Sequence, residues 1–209
     1  MKLTKFKTTR RGKYTRLVAS VADQSGAQDY ELRIAGPASA VKRVFAKSDF
    51  SVSIDPKRGA KDAEKEFAKY SQAQAQQFAE LAQLENTSEL DLFKRPAADP
   101  DPEKSVFVSL QRVRGEGTFW TLAFPYYLPT GWNIFVYPPL PVGYVTATVS
   151  PSTGDQDIFL NGVFGSLGSS TKGGTLPDTV FSVAPPFGWA RIQIFGWTAG
   201  SGNFSALTV

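Results

Sequence analysis

From residue 105 onward the chain is cut into short pieces, and this punctuation limits its fold more than any other feature. Eight runs alternate polar with apolar residues or are rich in β-branched and aromatic ones: Val106–Arg112, Thr118–Phe124, Asn133–Tyr137, Tyr144–Val149, Asp157–Leu160, Thr179–Val183, Ala190–Gly196 and Asn203–Val209. Between them stand turn formers, such as Pro-Thr-Gly at 129–131, Pro-Pro at 138–139 and Gly-Ser-Ser-Thr-Lys-Gly-Gly at 168–174. None of these runs has the length or the 3.6-residue period of a helix. About eight short strands separated by turn signals predict an antiparallel β-sandwich, jelly-roll-like in its connections. Trp189-Ala-Arg-Ile-Gln-Ile-Phe195 alternates most cleanly, which should bury one face and leave Arg191 or its neighbours on the other.

The first half has a different chemistry. Residues 1–104 hold 19 of the 23 basic residues and 15 of the 19 acidic ones, whereas 105–209 hold 18 of the 27 aromatics and no net charge. The change falls at Arg95-Pro-Ala-Ala-Asp-Pro-Asp-Pro-Glu103, whose prolines and acids suit an extended, semi-rigid linker. We therefore expect an α+β fold class in three parts: a small α+β attachment segment at 1–94, a Pro/Asp-rich linker at 95–104 and the sandwich at 105–209. Within the first part, Tyr14–Ala22 and Tyr30–Ile34 read as strands around an Asp-Gln-Ser-Gly turn. Pro37 can open a short helix running to Ala46, and Phe50–Ile54 reads as a third strand. Residues 61–85 lack Gly and Pro and predict one long helix, with Phe67, Tyr70, Phe78 and Leu81 on a thin apolar stripe. That stripe would pack on the sheet or, alternatively, against another subunit.

Several function classes are excluded by composition. The chain has no histidine and no cysteine, which removes thiol nucleophiles, zinc sites built on those residues and Ser-His-Asp triads. No run of 18 or more apolar residues is present, so no membrane span is expected. The N-terminal residues lack the apolar core of a secretion signal. The expected location is therefore the cytoplasm where the protein is made, a virion or other particle, or the exterior by export without a cleaved signal.

The order of pieces in the last seventy residues resembles the bacterial pre-peptidase C-terminal domain. The resemblance rests on Gly-Asp-Gln-Asp-Ile-Phe-Leu at 154–160, the Gly/Ser-rich loop at 165–174, Thr179-Val-Phe-Ser-Val-Ala-Pro185, Ala190-Arg-Ile-Gln-Ile-Phe-Gly196 and the closing Gly200-Ser-Gly-Asn-Phe-Ser-Ala-Leu-Thr-Val209. It covers about residues 140–209 and leaves the first hundred unassigned. It implies a small β-sandwich, usually a non-catalytic appendage of secreted hydrolases, in which the Asp pair of some members ligates calcium. Here the setting is expected to differ: no peptidase domain is expected ahead of the sandwich, and the sandwich is unusually aromatic.

Three groups of residues are candidate sites. Asp155 and Asp157 would first be turn elements, with Asp155 bonding backbone amides and Asp157 on an exposed strand face. Calcium held by Asp155, Asp157 and Asn161 is the alternative, although four acids in the whole β domain make a charge-poor site. The second group is a basic arm of Lys2, Lys5, Lys7, Arg10, Arg11, Lys13 and Arg16, with no acid among the first 16 residues. Interspersed Leu3, Phe6, Tyr14 and Leu17 favour an ordered edge strand, and contact with nucleic acid through phosphates is the alternative. The third is an aromatic platform of Tyr126, Tyr127, Trp132 and Trp189, suited to a sugar ring or a neighbouring subunit.

Together these point to a non-enzymatic structural or binding protein of a bacterial or phage assembly, a homo-oligomer or a subunit among others, whose sandwich packs on neighbours or binds a glycan. A secreted carbohydrate- or protein-binding accessory module and a capsid-like shell protein whose arm contacts nucleic acid are the alternatives. No catalytic residue and no cofactor other than calcium is expected.

Overall fold

The computed structural model describes residues 2–3, 6–22, 29–45, 50–55, 101–112, 119–139, 143–162, 165–183 and 190–208. The first half supplies β1 (Lys2–Leu3), β2 (Lys7–Arg11), β3 (Tyr14–Ala22), β4 (Asp29–Pro37), α1 (Ala38–Val44) and β5 (Phe50–Asp55). The second supplies β6 (Ser105–Arg112), β7 (Phe119–Leu128), β8 (Asn133–Tyr137), β9 (Tyr144–Pro151), β10 (Asp155–Gly162), β11 (Gly165–Ser170), β12 (Asp178–Val183), β13 (Arg191–Thr198) and β14 (Gly200–Thr208). They form a six-stranded sheet, β1-β5-β7-β14-β9-β12, and an eight-stranded sheet, β11-β10-β13-β8-β6-β4-β3-β2. The two sheets share one core, to which Leu32, Ile34, Val108, Leu110, Ile158 and Ile192 come from one side and Val52, Leu122, Phe124, Val149, Phe204 and Ala206 from the other. This is the β-sandwich that the alternation demands, because each strand buries every second side chain.

The expected boundary at 95–104 does not divide these sheets. β4 pairs with β6 over six residues and β5 pairs with β7 over five, so strands from the first half complete both sheets of the second. Residues 101–104 are no extended linker either. Asp101 caps a turn by accepting the Glu103 and Lys104 amides, and the Lys104 carbonyl accepts the Asn133 amide at 2.9 Å. The composition change marks where charge is placed on the surface, and sheet pairing ignores it.

Three further corrections concern connections. The sandwich is not wholly antiparallel, because β6 and β8 run parallel. The chain leaves the eight-stranded sheet after β6, makes β7 in the other sheet, and returns beside β6 in the same direction. The strand order is that of a two-sheet sandwich, and it does not resolve into a jelly roll. Second, Gly165–Ser170, read as loop, is strand β11 on the edge of the sheet, paired with β10. Its Gly and Ser residues carry no β pattern, and backbone pairing alone makes the strand. Third, the one helix among the described residues is short, seven residues from Ala38 to Val44, as Pro37 suggested. The long helix expected at 61–85 lies outside the described residues. Ala40, Val41 and Val44 bury one face of α1, and Phe45 beyond it joins a ring cluster with Phe50, Phe124 and Phe204 at centroid separations of 4.9 to 5.5 Å. No helix among the described residues is long and apolar enough to cross a membrane.

One feature of the six-stranded sheet is non-sequential. β14 lies between β7 and β9 and pairs with both, although both precede it in the chain.

Candidate functional site

The start of β10 is built by a tight turn. Gly154 has a positive φ of 76°, and the Ser152 and Thr153 amides both bond the Ser201 carbonyl, at 2.7 and 3.1 Å. A Cβ on Gly200 would lie 1.9 Å from the Thr153 carbonyl oxygen, so only glycine allows the two segments to approach this closely. The register against β13 then shifts between Asp155 and Gln156. Beyond the shift Gln156 is fully buried, its amide donating to the Thr153 and Thr198 carbonyls, while Asp157 stands on the opposite face across from Phe195.

Asp157 is not on an exposed face as expected; it is 4% exposed. Its Oδ2 accepts the indole N–H of Trp197. Burial pushes its carboxyl up to about 7, opposed by the Trp197 bond and reinforced by the charges of Asp178 and Asp155. Trp197 also meets Phe195 edge-on, at 4.8 Å and 84°. The indole is thus fixed by two contacts and still 43% exposed.

Asp178, at the start of β12, was not singled out from the sequence. It is fully buried and accepts Ser170 Oγ and, at 2.9 Å, the Lys172 amide. Burial lifts its carboxyl to about 6 against those bonds. Asp155 accepts the Gly174 amide, and burial raises its carboxyl as well. Asp155 and Asp178 therefore tie down the loop 171–177 at the corner where β10 and β11 meet β12 of the other sheet. That loop carries Leu176, 55% exposed. Trp197 and Leu176 are the large hydrophobic residues found exposed among those described.

The calcium set expected from sequence does not assemble. Asn161 lies four residues beyond Asp157 on an extended strand, a rise of about 13 Å at ~3.3 Å per residue. One Asp157 oxygen is already bonded to Trp197. Among the described residues no group of three or more acids converges closely enough to hold a metal ion. Asp155 Oδ1, Asp178 Oδ2, Gln156 Oε1 and Tyr126 Oη are buried without a partner here, but two lone carboxylate oxygens fall short of a calcium shell.

The aromatic platform does not assemble either. Tyr126 and Tyr127 are neighbours on β7 and so face opposite ways: Tyr126 is in the core, and Tyr127 lies half-buried on the outer face under Arg43, whose guanidinium is 5.3 Å from its ring. Trp132 packs half-buried against the core. Trp189 lies outside the described residues. Among the described tryptophans the exposed one is Trp197, whose signal is weak because it falls at the end of an alternating run.

The basic arm is built into both sheets. Lys2 lies in β1, which pairs with β5. Lys7, Arg10 and Arg11 lie on the fully exposed edge strand β2, and Arg16 is exposed on β3. Lys13 is paired with Glu103. Lys5 lies outside the described residues.

No family model matches the chain, and no curated protein matches its sequence. Solved structures similar to it include the pre-peptidase C-terminal domain of a Bacillus anthracis collagenase, at 8% identity over 40% of this chain and 84% of that one, with a TM-score of 0.31. The periplasmic lysozyme inhibitor PliG of Aeromonas hydrophila matches at 10% identity over 49% of this chain and 96% of its own, with a TM-score of 0.36. A cupin 2 domain-containing protein of Halorhodospira halophila matches at 17% identity over 42% of this chain and 51% of its own, with a TM-score of 0.25.

Proposed function

We propose that this chain is a non-enzymatic binding subunit of a larger assembly, and that the corner bearing Trp197 and Leu176 is its contact point. The observation that carries this reading is the state of Trp197. A large apolar ring that stays 43% exposed would ordinarily move freely; here a buried carboxylate and an edge-on phenylalanine hold it in place. Rigid, exposed tryptophans serve as interface anchors because docking costs them little conformational entropy. The acids around it are engaged in holding backbone and indole, which supports a binding role over an acid–base one. Such an indole also suits stacking on a sugar ring, and glycan binding is the second reading. The test is the molar mass by light scattering over a hundred-fold concentration range, for the wild type and for Trp197→Ala combined with Leu176→Ser. We expect the wild type to associate and the double variant to remain monomeric with its melting temperature little changed. A wild type that stays monomeric throughout would rule out self-assembly. Binding on a glycan array, lost with Trp197→Ala, would then select the second reading.

A further inference from the structure

The register of the eight-stranded sheet places its chemistry in rows. Residues directly opposite one another across a sheet share a face, so successive pairings can be followed from strand to strand. One row runs Thr9, Arg16, Ala35, Phe107, Phe135, Gln193, Phe159, Ser169. The adjacent row runs Lys7, Val18, Arg33, Ser109, Tyr137. Both rows lie on the face away from the central core, since Ile34, Val108, Val136 and Ile192, which alternate with them, are the core residues. This outer face is basic at its β2–β3 end; at its centre Phe135, Gln193 and Phe159 are buried, and Phe107 and Tyr137 are the half-buried aromatics of the two rows.

At the centre is a cleft of about 650 Å³, lined by Phe107, Ser109, Gln111, Arg112, Tyr137 and Pro138 among others, and free of acidic side chains in its described lining. That volume falls within the range of about 300–1,000 Å³ typical of ligand sites. Of the stack of flat groups beside it only Phe107 reaches the cleft, because Phe135 is fully buried. The Phe107 and Phe135 rings lie 5.7 Å apart and 18° from parallel, and the Arg191 guanidinium sits 5.0 Å from the Phe135 centroid. Phe107 and Tyr137 are half-buried, so their rings are in part open to the cleft. Arg16 stands two strands from Phe107 in the same row, about 10 Å at ~4.8 Å per strand. Lys7, in the adjacent row, stands four strands from Tyr137, about 19 Å by the same spacing. Lys7 and Arg16 are exposed, whereas Arg33 between them and the cleft is paired with Glu31 at 2.8 Å.

The geometry points to single-stranded nucleic acid as the ligand of this face: an unstacked base enters the cleft against Phe107 and Tyr137, and the flanking phosphates lie on the Lys7, Arg11 and Arg16 end. Planar stacking surfaces beside a basic track are the recurrent solution for single strands, because every base has a π-face and every nucleotide a charge. Ser109, Gln111 and Arg112 supply donors and acceptors for a base edge. A duplex keeps its base faces stacked inside and offers the cleft nothing. The cleft adjoins the start of β13, whose far end carries Trp197, and it does not depend on the assembly reading.

The experiment is fluorescence anisotropy of the full chain with a labelled dT12 strand, with the same strand annealed to dA12, and with heparin as a competing polyanion without bases. We expect micromolar binding of dT12 at about 50 mM salt and a steep loss by about 200 mM from counterion release. The duplex should bind at least ten-fold more weakly. Arg11→Gln with Arg16→Gln should flatten the slope of log affinity against log salt by about 1.4, at ~0.7 per phosphate on a single strand. Tyr137→Leu should weaken dT12 by about 5- to 150-fold, as expected for one lost stacking contact, and leave the slope alone. Trp197→Ala should change nothing in this assay, which keeps the result separate from the assembly contact. Should Tyr137→Leu lose its fold by circular dichroism, photocrosslinking a 5-bromouracil strand to the wild type decides the point, and a crosslink at Phe107 or Tyr137 is expected. No binding at low salt, equal affinity for duplex and single strand, complete displacement by heparin with Tyr137→Leu unimpaired, or crosslinks confined elsewhere would each overturn the proposal.

Discussion

Expressed alone, residues 105–209 should fail to fold cooperatively, because removing the first half opens both sheets from the side. β6 loses β4 and becomes an edge, and β7 loses β5. Five side chains of the fragment lose the partners that cover them. Leu110 and Val108 stand opposite Leu32 and Ile34, Leu122 and Trp120 stand opposite Val52 and Ile54, and the Phe124 ring lies 4.9 Å from that of Phe50. Full burial of a large apolar side chain is worth about 1.5–3 kcal/mol, so losing half the burial of five costs about 4–8 kcal/mol. A domain's whole stability is about 5–15 kcal/mol, so this loss alone uses most of it. The two open edges add unpaired backbone groups that invite aggregation. The assay is a thermal melt of the fragment followed by circular dichroism, with and without an added 1–104 fragment. We expect no cooperative transition for 105–209 alone and partial recovery on mixing. A sharp reversible melt of the isolated fragment, with unfolding free energy above about 5 kcal/mol, would refute the reasoning.

Two further outcomes follow from the corner. Asp157 and Asp178 titrate near 7 and 6 in the fold, above the ordinary carboxylate value of about 3.9 in an unfolded chain. The folded state therefore holds more protons than the unfolded one between about pH 4 and 7, and this contribution to stability is full below that window and lost as pH rises through it. The melting temperature should be higher at pH 5 than at pH 8, the difference should shrink in Asp157→Asn, and a rise toward pH 8 would contradict the assignment. Gly200→Ala should destabilise by about 1–3 kcal/mol or more, since the added methyl must displace the Thr153 carbonyl, whereas Gly173→Ala, with open space around it, should be near neutral; equal denaturant midpoints for the two would show the turn to be less tightly set than described.

Strands carried by alternation were legible from sequence, because period two records which face is buried. Tyr14–Ala22 and Asn133–Tyr137 agree with β3 and β8 at both ends. Pairing was not legible. Nothing in Asp29–Pro37 says that its partner is Ser105–Arg112, about seventy residues on, and the Pro-rich stretch between them suggested separation. β11 was missed because Gly-Ser-Leu-Gly-Ser-Ser has no pattern and owes its form to β10. At the site, Asp155 and Asp157 were noticed, but a register shift between Asp155 and Gln156 decides which way each points. Asp178 and Trp197 reach them through tertiary pairing, which spacing along one strand cannot show. Tyr126 and Tyr127 illustrate the converse. Their adjacency suggested a shared platform, and the pleat of a strand turns adjacent side chains apart.

The placement of β14 between β7 and β9 bears on how the protein is made. Neither earlier strand can close against the other, so on the growing chain two long rows of backbone amides and carbonyls wait unpaired until residues 200–208 arrive. Contacts between elements so far apart in sequence form slowly, and open strand edges are where nascent chains stick to one another. A stop codon or a protease cut before residue 200 would thus leave a sheet split down its middle, with Phe124 deprived of Phe204, and the truncated product should be recovered as aggregate and not as a shorter native domain.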